Sequence, residues 1–324
     1  MGMASLLRRL FSPGRSAADP LRPDPDIYRL AHLDLTADAL ARPPTQLGKR
    51  ALYDHAGSVP PWPVTVSRWS VVRARQRRVA SEPACELRED HFDYADIGPG
   101  VWHLNFAHHD LFVAADTPAF AQDELQVAEH PCLYGLRAAL AERDVAARTV
   151  EAGRPTPILI QNIPRQLAVD TTHLYGRAFA SALLEDLRAA ARRLEPAPTN
   201  LLAIEAPYAG RGAYDLAQLQ LAFDTAAGGF AAARAESPEG DVVIHTGHWG
   251  GGAYGGDRAL MATVQRAAAR AVGVRLVFHA GDDPAPYHAA SALLDRGARR
   301  EPIAAALLQR LAAMGFQWGR PDGN

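Results

Sequence analysis

Residues 245–256 read HTGHWGGGAYGG and lie between an apolar run, DVVI, and a helical pattern, DRALMATVQRAAARAV at 257–272. Glycine has no Cβ, so the backbone N–H groups of such a loop can approach a ligand closely. Successive N–H groups beside a helix N-terminus form an anion-binding site. The loop therefore predicts binding of a phosphate or diphosphate. A tight turn that packs the helix on the strand is the alternative.

Two other features of this loop bear on its ligand. Gly250, Gly252 and Gly255 satisfy G-x-G-x-x-G, the pattern of dinucleotide-binding units. Only the last fifth of the chain follows Gly255, which is too little for the rest of a doubly wound sheet, so this interpretation is disfavoured. Tyr254 stands among small residues and is expected to contact a ribose or an adenine, whereas Trp249 is expected to pack under the loop.

A second group of reactive residues lies in TPAFAQDE at 117–124. Thr117 can cap a helix that places Gln122, Asp123 and Glu124 on its second turn. Adjacent helix positions lie about 100° apart, so one carboxylate can face a ligand while its neighbour faces another partner or solvent. A solvated acidic face is the alternative. Near a bound diphosphate, however, the pKa of a carboxyl would rise, and a protonated carboxyl is the general acid that glycosidic cleavage requires.

Short β-rich runs alternate with helical patterns from about residue 100 onward. The strand candidates are 101–107, 156–162, 200–206, 241–247 and 274–281, and the helical patterns are 118–129, 178–194, 214–235, 257–272, 284–296 and 301–314. This alternation predicts an α/β fold with a mixed sheet flanked by helices on both faces. We expect a flexible N-terminal tail at 1–26, a mostly helical accessory region at 27–95 and the main domain at 96–324.

Composition limits the classes of partner. The formal net charge is −2, so DNA binding by bulk charge is not expected. The two cysteines favour a reducing, cytoplasmic compartment, and no apolar run is long enough to span a membrane. His108-His109-Asp110 shows no zinc-type spacing, so neither a metal nor another cofactor is expected. Lys49 is the only lysine, which we attribute to genomic composition.

Several segments resemble the poly(ADP-ribose) glycohydrolase family. TGHWGGGAYGGD at 246–257 resembles the family's TGxWGCGAFGGD, and LLAIEAPY at 201–208 and LAFDTAAGGF at 221–230 resemble its AIDA strand and KAYxGF segment. NFAHHDLFVAADTPAFAQDEL at 105–125 resembles its DFAN motif, glycine loop and QEE motif. The resemblance covers about residues 95–300 and implies a macro-domain fold.

The resemblance also implies roles for individual residues. Glu124 matches the catalytic glutamate, which would protonate the leaving ribose oxygen and then activate water, and Asp123 matches the glutamate before it. Gln122 matches a ligand-contacting glutamine, and Arg177 stands near the position of the adenine-stacking tyrosine. The residues that the resemblance assigns to substrate binding are Gln122, Asn105, His108, Arg177, Thr246, Gly247, His248, Trp249, Gly250, Gly251, Gly252, Ala253 and Tyr254.

The chain departs from the family pattern in one half of the site. Phe112, Val113 and Ala114 replace a glycine triplet, and their side chains would obstruct the approach of a diphosphate to the backbone. Asn105 replaces an aspartate and His108 replaces an asparagine.

The expected function is hydrolysis of an ADP-ribose glycosidic linkage, with ADP-ribose, an ADP-ribosylated protein or poly(ADP-ribose) as the partner. Three outcomes stay open. The protein cleaves poly(ADP-ribose), or it removes a single ADP-ribose from a protein through a remodelled acidic site that uses Asp110 or Asp116, or it binds ADP-ribose without turnover.

Overall fold

A computed structural model describes residues 26–72, 84–92, 94–238, 240–295 and 303–321. All but the last residue of the tail expected at 1–26 lies outside these ranges. No helix within them is long and apolar enough to cross a membrane.

Within these ranges, ten strands and the helices follow in chain order. The strands are β1 (Ile27–Thr36), β2 (Pro63–Val71), β3 (Cys85–Arg88), β4 (Val101–Phe106), β5 (Val150–Glu151), β6 (Arg154–Pro155), β7 (Ile158–Val169), β8 (Ala191–Ile204), β9 (Val243–Thr246) and β10 (Arg275–His279). The α-helices are α1 (Leu47–Ala56), α2 (Gln122–Glu129), α3 (Leu136–Ala141), α4 (Ala178–Ser181), α5 (Leu184–Ala190), α6 (Leu216–Ala235), α7 (Arg258–Val272), α8 (Ala285–Asp295) and α9 (Ile303–Ala313), and a 3₁₀ helix spans Pro131–Gly135.

Eight of the strands form one mixed sheet in the order β1-β2-β7-β8-β4-β9-β10-β3. From β8 to β3 neighbouring strands are parallel, whereas β1, β2, β7 and β8 pair antiparallel. The parallel strands end at one edge of the sheet, and this edge is where loops from an α/β sheet converge on a ligand.

Both faces of the sheet are covered by helices, as the alternation predicts. Leu202 and Ile204 of β8 pack into one core cluster together with α6 and α7. Leu201 and Ala203, which alternate with them along the strand, pack into another cluster with α2 and α3. Side chains of a strand alternate between the two faces, so this pattern places a helical layer on each side.

The expectation of a mostly helical region at 27–95 is wrong. The described parts of this segment, 27–72, 84–92 and 94–95, contribute β1, β2 and β3 to the main sheet and contain one helix, α1. β1 and β3 are the two edge strands of the sheet. Most residues of β1 are exposed or half-buried, so the strand lacks the apolar run that marked the inner strands.

The five strands expected after residue 100 are confirmed as β4, β7, β8, β9 and β10. The helical pattern at 178–194 is only partly correct, because α4 and α5 are short and β8 begins at Ala191. Ala191 pairs with Val169 at the end of β7. Because β7 is long enough to reach this point, the residues from Ala191 onward form a strand rather than continuing the helix.

Candidate active site

A cleft of about 900 Å³ lies at the carboxyl edge of the parallel strands. Its walls include residues that follow β4, β8, β9 and β10, together with the first turn of α2. Binding sites for small molecules commonly have volumes of about 300–1,000 Å³. The cleft is therefore large enough for a nucleotide-sized ligand.

The glycine loop joins β9 to α7, as predicted. Gly250 has φ +75°, and a Cβ added there would lie 2.6 Å from the Cβ of Ala206. A Cβ on Gly247 would lie 2.7 Å from the carbonyl oxygen of His279. Both positions require glycine, because the loop passes close to the ends of the neighbouring strands.

Two backbone N–H groups of the glycine loop are available to donate hydrogen bonds to a ligand. Gly251 N–H donates to His248 O at 2.9 Å, and Gly255 N–H donates to Gly252 O at 2.8 Å. Within the described chain, the N–H groups of Gly252 and Ala253 have no backbone acceptor, and both residues line the cleft. Adjacent free amides at the entry to a helix suit an anion.

Other residues of the loop support its shape. Trp249 is fully buried and its indole N–H donates to Ile204 O at 3.1 Å, which agrees with a packing role. Thr246 is also fully buried and donates to Gln265 Oε1, so its side chain is held inside the domain. His248 lines the cleft and donates from Nε2 to Ala280 O at 3.2 Å, which ties the loop to the end of β10.

Tyr254 lines the cleft and is half-buried. Its hydroxyl donates to Glu205 Oε1 at 3.2 Å, and its ring centroid lies 5.2 Å from that of Tyr208. Burial, followed by the charges of Glu205 and Asp123, raises the pKa of Tyr254. The glycine loop and the acidic helix thus lie within electrostatic reach of each other.

The acidic helix begins later than the sequence predicted. α2 starts at Gln122, so Gln122, Asp123 and Glu124 form its first turn rather than its second. The Thr117 hydroxyl donates to Ala114 O at 2.8 Å and accepts from Ala119 N–H at 3.2 Å, so it closes a turn instead of capping a helix.

Both carboxyl groups of this turn line the cleft. The expectation that their 100° separation on the helix would send them to different surroundings is wrong, because at a helix N-terminus both side chains can fold toward the same end. Glu124 Oε2 accepts from Ala121 N–H at 2.8 Å, and Asp123 Oδ1 accepts from Glu124 N–H at 3.0 Å. Burial and the adjacent Glu124 charge raise the pKa of Asp123 well above its usual range.

Gln122 and Asn105 connect this helix to β4. Gln122 accepts from Phe106 N–H at 2.8 Å and donates to Leu104 O at 3.0 Å. Asn105 is fully buried, donates to Gln126 at 2.8 Å and is not part of the described cleft wall. Gln122 therefore lines the cleft, whereas Asn105 holds α2 to β4 through its hydrogen bond to Gln126.

Lys49 lies behind the acidic turn, and its side chain is fully buried. Its Nζ is 4.7 Å from the ring centroid of Phe120 and 5.1 Å from that of Phe179, and it has no hydrogen-bond partner among the residues that the structure describes. Burial lowers the pKa of Lys49 to about 8, against the attraction of nearby carboxylates, of which Glu124 and Asp123 are the strongest. The only lysine of the chain is thus a buried cation beside the carboxyl pair. That Lys49 is the only lysine in the sequence was the one signal by which sequence analysis could have singled it out.

The replaced glycine triplet retains a glycine-like backbone at its first residue. Phe112 has φ +55°, a value that favours glycine, and its ring is buried in a core cluster. Val113 and Ala114 line the cleft, and Val113 is 45% exposed. Side chains thus occupy the wall that the resemblance assigns to bare backbone, while His108 lines the cleft nearby.

Replacing both Val113 and Ala114 with glycine is expected to tighten ADP-ribose binding about tenfold, or about 1.4 kcal/mol. Ala114 N–H has no backbone acceptor among the described residues, and removing the side chains would let a diphosphate reach it. One hydrogen bond to a charged group contributes about that much. Isothermal titration calorimetry measures the change, with Val72→Gly as the control because Val72 is exposed and outside the cleft. Equal or weaker binding by the double variant would refute the idea that these side chains obstruct the ligand.

The adenine end of the site differs from the expectation. Arg177 is exposed and does not belong to the described cleft wall, whereas Tyr175, two residues earlier, lines the cleft and is 40% exposed. Gly176 N–H donates to Phe120 O at 2.9 Å, which fixes this segment against the approach to α2. Tyr175 is the better candidate for a base-stacking residue. It lies in the same segment as Arg177, HLYGRAF at 173–179.

The two aspartates considered for a remodelled site lie elsewhere. Asp116 accepts from the backbone N–H groups of Thr45 and Gln46 at 2.7–2.9 Å and so caps the start of α1. Although burial opposes it, these amides lower the pKa of Asp116. Asp110 lies 3.9 Å from both Arg137 and Arg148. Neither aspartate contributes to the described cleft wall.

The fold and the site together define an α/β domain with a glycine loop and a carboxyl pair in one cleft. Residues 172–286 match the family model described as poly(ADP-ribose) glycohydrolase (PARG), macro domain fold. The matched range holds the glycine loop, and the acidic turn of α2 precedes it.

Solved structures of poly(ADP-ribose) glycohydrolases are similar to the chain. One is poly(ADP-ribose) glycohydrolase from Thermomonospora curvata bound to the inhibitor ADP-HPD, with 21% identity, a TM-score of 0.44 and coverage of 81% of this chain and 84% of that one. Another is the Deinococcus radiodurans enzyme in complex with ADP-ribose, with 16% identity, a TM-score of 0.43 and coverage of 82% and 95%. No curated protein matches the sequence.

Proposed function

We propose that the protein hydrolyses the glycosidic linkage of ADP-ribose, with Glu124 as the general acid and base. One observation carries this proposal: Asp123 and Glu124 line the same cleft as the free amides of Gly252 and Ala253. A diphosphate on those amides would bring the attached ribose toward the carboxyl pair. Tyr254 belongs to the loop and lies within electrostatic reach of Asp123, so it is the candidate for ribose contact.

The carboxyl pair is suited to supply a proton at neutral pH. Burial, followed by the charge of the adjacent Glu124, raises the pKa of Asp123 well above its usual range, so Asp123 can hold a proton at neutral pH. In the proposed reaction, this proton passes from Asp123 through the side chain of Glu124 to the departing oxygen as the bond from the anomeric carbon breaks. The carboxylate then removes a proton from water, whose oxygen bonds to that carbon, and the pair returns to its starting state.

The substrate is an ADP-ribosylated protein or poly(ADP-ribose). Tyr175 lines the cleft and is the candidate for stacking on the adenine, and Gly252 and Ala253 line it as the candidates for binding the diphosphate. The sequence has only two cysteines, too few for a disulfide framework, and this supports a location in the reducing cytoplasm.

A product assay tests the proposal. Protein carrying poly(ADP-ribose), and protein carrying single ADP-ribose groups on arginine or glutamate, would each be incubated with the enzyme and the products separated by chromatography. We expect free ADP-ribose from at least one substrate. Val113 at the cleft wall favours a second candidate, an ADP-ribose reader. Calorimetric binding of ADP-ribose with no product from any substrate would establish the reader and refute the hydrolase.

A further inference from the structure

We propose that His108, His109 and Glu205 bind a divalent transition-metal ion of the zinc class at the wall of the cleft. One possible ligand atom from each of the three side chains lies within 4.8 Å of the other two. This proposal does not depend on the hydrolase activity, because it concerns binding of the ion alone.

The topology of the sheet brings these residues together. β4 and β8 are neighbouring parallel strands, with Phe106 opposite Ile204. His108 and His109 follow the end of β4, and Glu205 follows the end of β8. The two histidines are adjacent in sequence and give no zinc-type spacing, so the third ligand becomes visible only in the folded chain.

The pair formed by His109 and Glu205 already has the separation of two metal ligands. His109 Nδ1 lies 3.2 Å from Glu205 Oε1. Ligands bound at about 2.0–2.1 Å in a tetrahedral site are about 3.3 Å apart. Glu205 Oε1 also accepts from His109 N–H at 2.8 Å and from the Tyr254 hydroxyl at 3.2 Å. These contacts orient a carboxylate that is only 5% exposed, as outer contacts of metal ligands do.

His108 completes the set after a small adjustment. Its ring centroid is 3.8 Å from that of His109, and its Nδ1 accepts from Asp110 N–H at 3.1 Å. Binding through Nε2 would move the ring proton to Nδ1 and give up this bond to the backbone. The half-buried His108 side chain is free enough to turn, because it lines the cleft.

The ligand set indicates the class of ion. Two imidazoles and one carboxylate suit zinc and its transition-metal neighbours, whereas magnesium and calcium prefer oxygen ligands alone. Three protein ligands leave a position for water or a ligand hydroxyl. Because His108 lines the cleft, that position is reached from the cleft.

Calorimetric titration of chelator-treated protein with zinc chloride, in the absence of any nucleotide, tests the proposal. We expect one ion per chain, and we expect Glu205→Gln and His109→Ala each to weaken zinc binding at least tenfold. His288→Ala is the matched control, because His288 is an exposed histidine outside the cleft, and it should bind zinc as the wild type does. Cobalt binding should give the visible absorption bands of a four-coordinate site.

Either of two results would overturn the proposal: no zinc binding by the wild type, or equal affinity in the wild type and Glu205→Gln. The glutamine has nearly the shape of glutamate, so this variant decides the question even if His109→Ala fails to fold. A thermal unfolding curve of each variant without metal verifies the fold. A protein that binds zinc but releases no ADP-ribose would refute the hydrolase and support the metal site. A protein that releases ADP-ribose but binds no zinc would refute the metal site and support the hydrolase.

Discussion

Replacing Glu124 with glutamine is expected to lower kcat for ADP-ribose release by about 10²–10⁴-fold, the usual contribution of a general acid–base group. Glutamine keeps an oxygen that can accept the Ala121 N–H, which Glu124 Oε2 accepts at 2.8 Å, so α2 should keep its first turn. It cannot deliver or remove a proton at neutral pH. The affinity for ADP-ribose should therefore change little while turnover falls.

Single-turnover kinetics with ADP-ribosylated protein measures the fall, and calorimetry with ADP-ribose measures the affinity. Glu185→Gln is the matched control, because Glu185 is also in the first turn of a helix, but it is exposed and outside the cleft. Wild-type turnover in Glu124→Gln would assign the chemistry to another group. Asp123→Asn then becomes the next variant to measure, since burial and the Glu124 charge raise the pKa of Asp123 well above its usual range.

Replacing Lys49 with methionine is expected to move the basic limb of the pH–rate profile upward by about one pH unit. An opposite charge near a carboxyl lowers its pKa by about 1–3. Burial and the Glu124 charge raise the pKa of Asp123, and the charge of the buried Lys49 opposes that rise, so removal of Lys49 raises the pKa of Asp123 further. The basic limb reports loss of the proton that Asp123 holds.

The same substitution should change how stability depends on pH. The folded state lowers the pKa of Lys49 from 10.5 to about 8, so a buried cation opposes folding at neutral pH and this opposition falls as the pH rises from about 8 toward 10.5. The full effect corresponds to about 3 kcal/mol. Urea unfolding between pH 7 and pH 10 should therefore show the wild type gaining stability relative to Lys49→Met.

Arg50→Met is the matched control for both measurements. It removes one positive charge from the next residue of α1, but Arg50 is exposed and pairs with Asp54 at 2.8 Å. Its pH–rate profile should match that of the wild type. An unchanged profile in Lys49→Met would mean that the buried ammonium does not act on the carboxyl pair.

The glycine loop and the strands around it could be predicted from sequence because their causes are local. Gly250 needs a positive φ, Asp257 caps α7 by accepting from Leu260 N–H at 2.8 Å, and β9 and β10 are short apolar runs. Each of these features depends on residues a few positions apart. The helices on both faces followed for the same reason, from the alternation of strand and helix patterns.

The strands before residue 96 could not be predicted in this way. β1 is an edge strand with many exposed positions, and it exists because it pairs with β2, which in turn pairs with β7. Pairing between distant segments stabilises such a strand, and no local run of apolar residues marks it.

The sequence by itself determined the α/β class and the position of the glycine loop after β9, and it predicted Asp123 and Glu124 as the two acids, since each of these features depends on neighbouring residues. The tertiary structure alone decided that both acids face one cleft, that Lys49 lies buried behind them, and that Glu205 meets His109. These contacts join residues far apart in the chain, and their charges interact strongly because folding has removed the water between them.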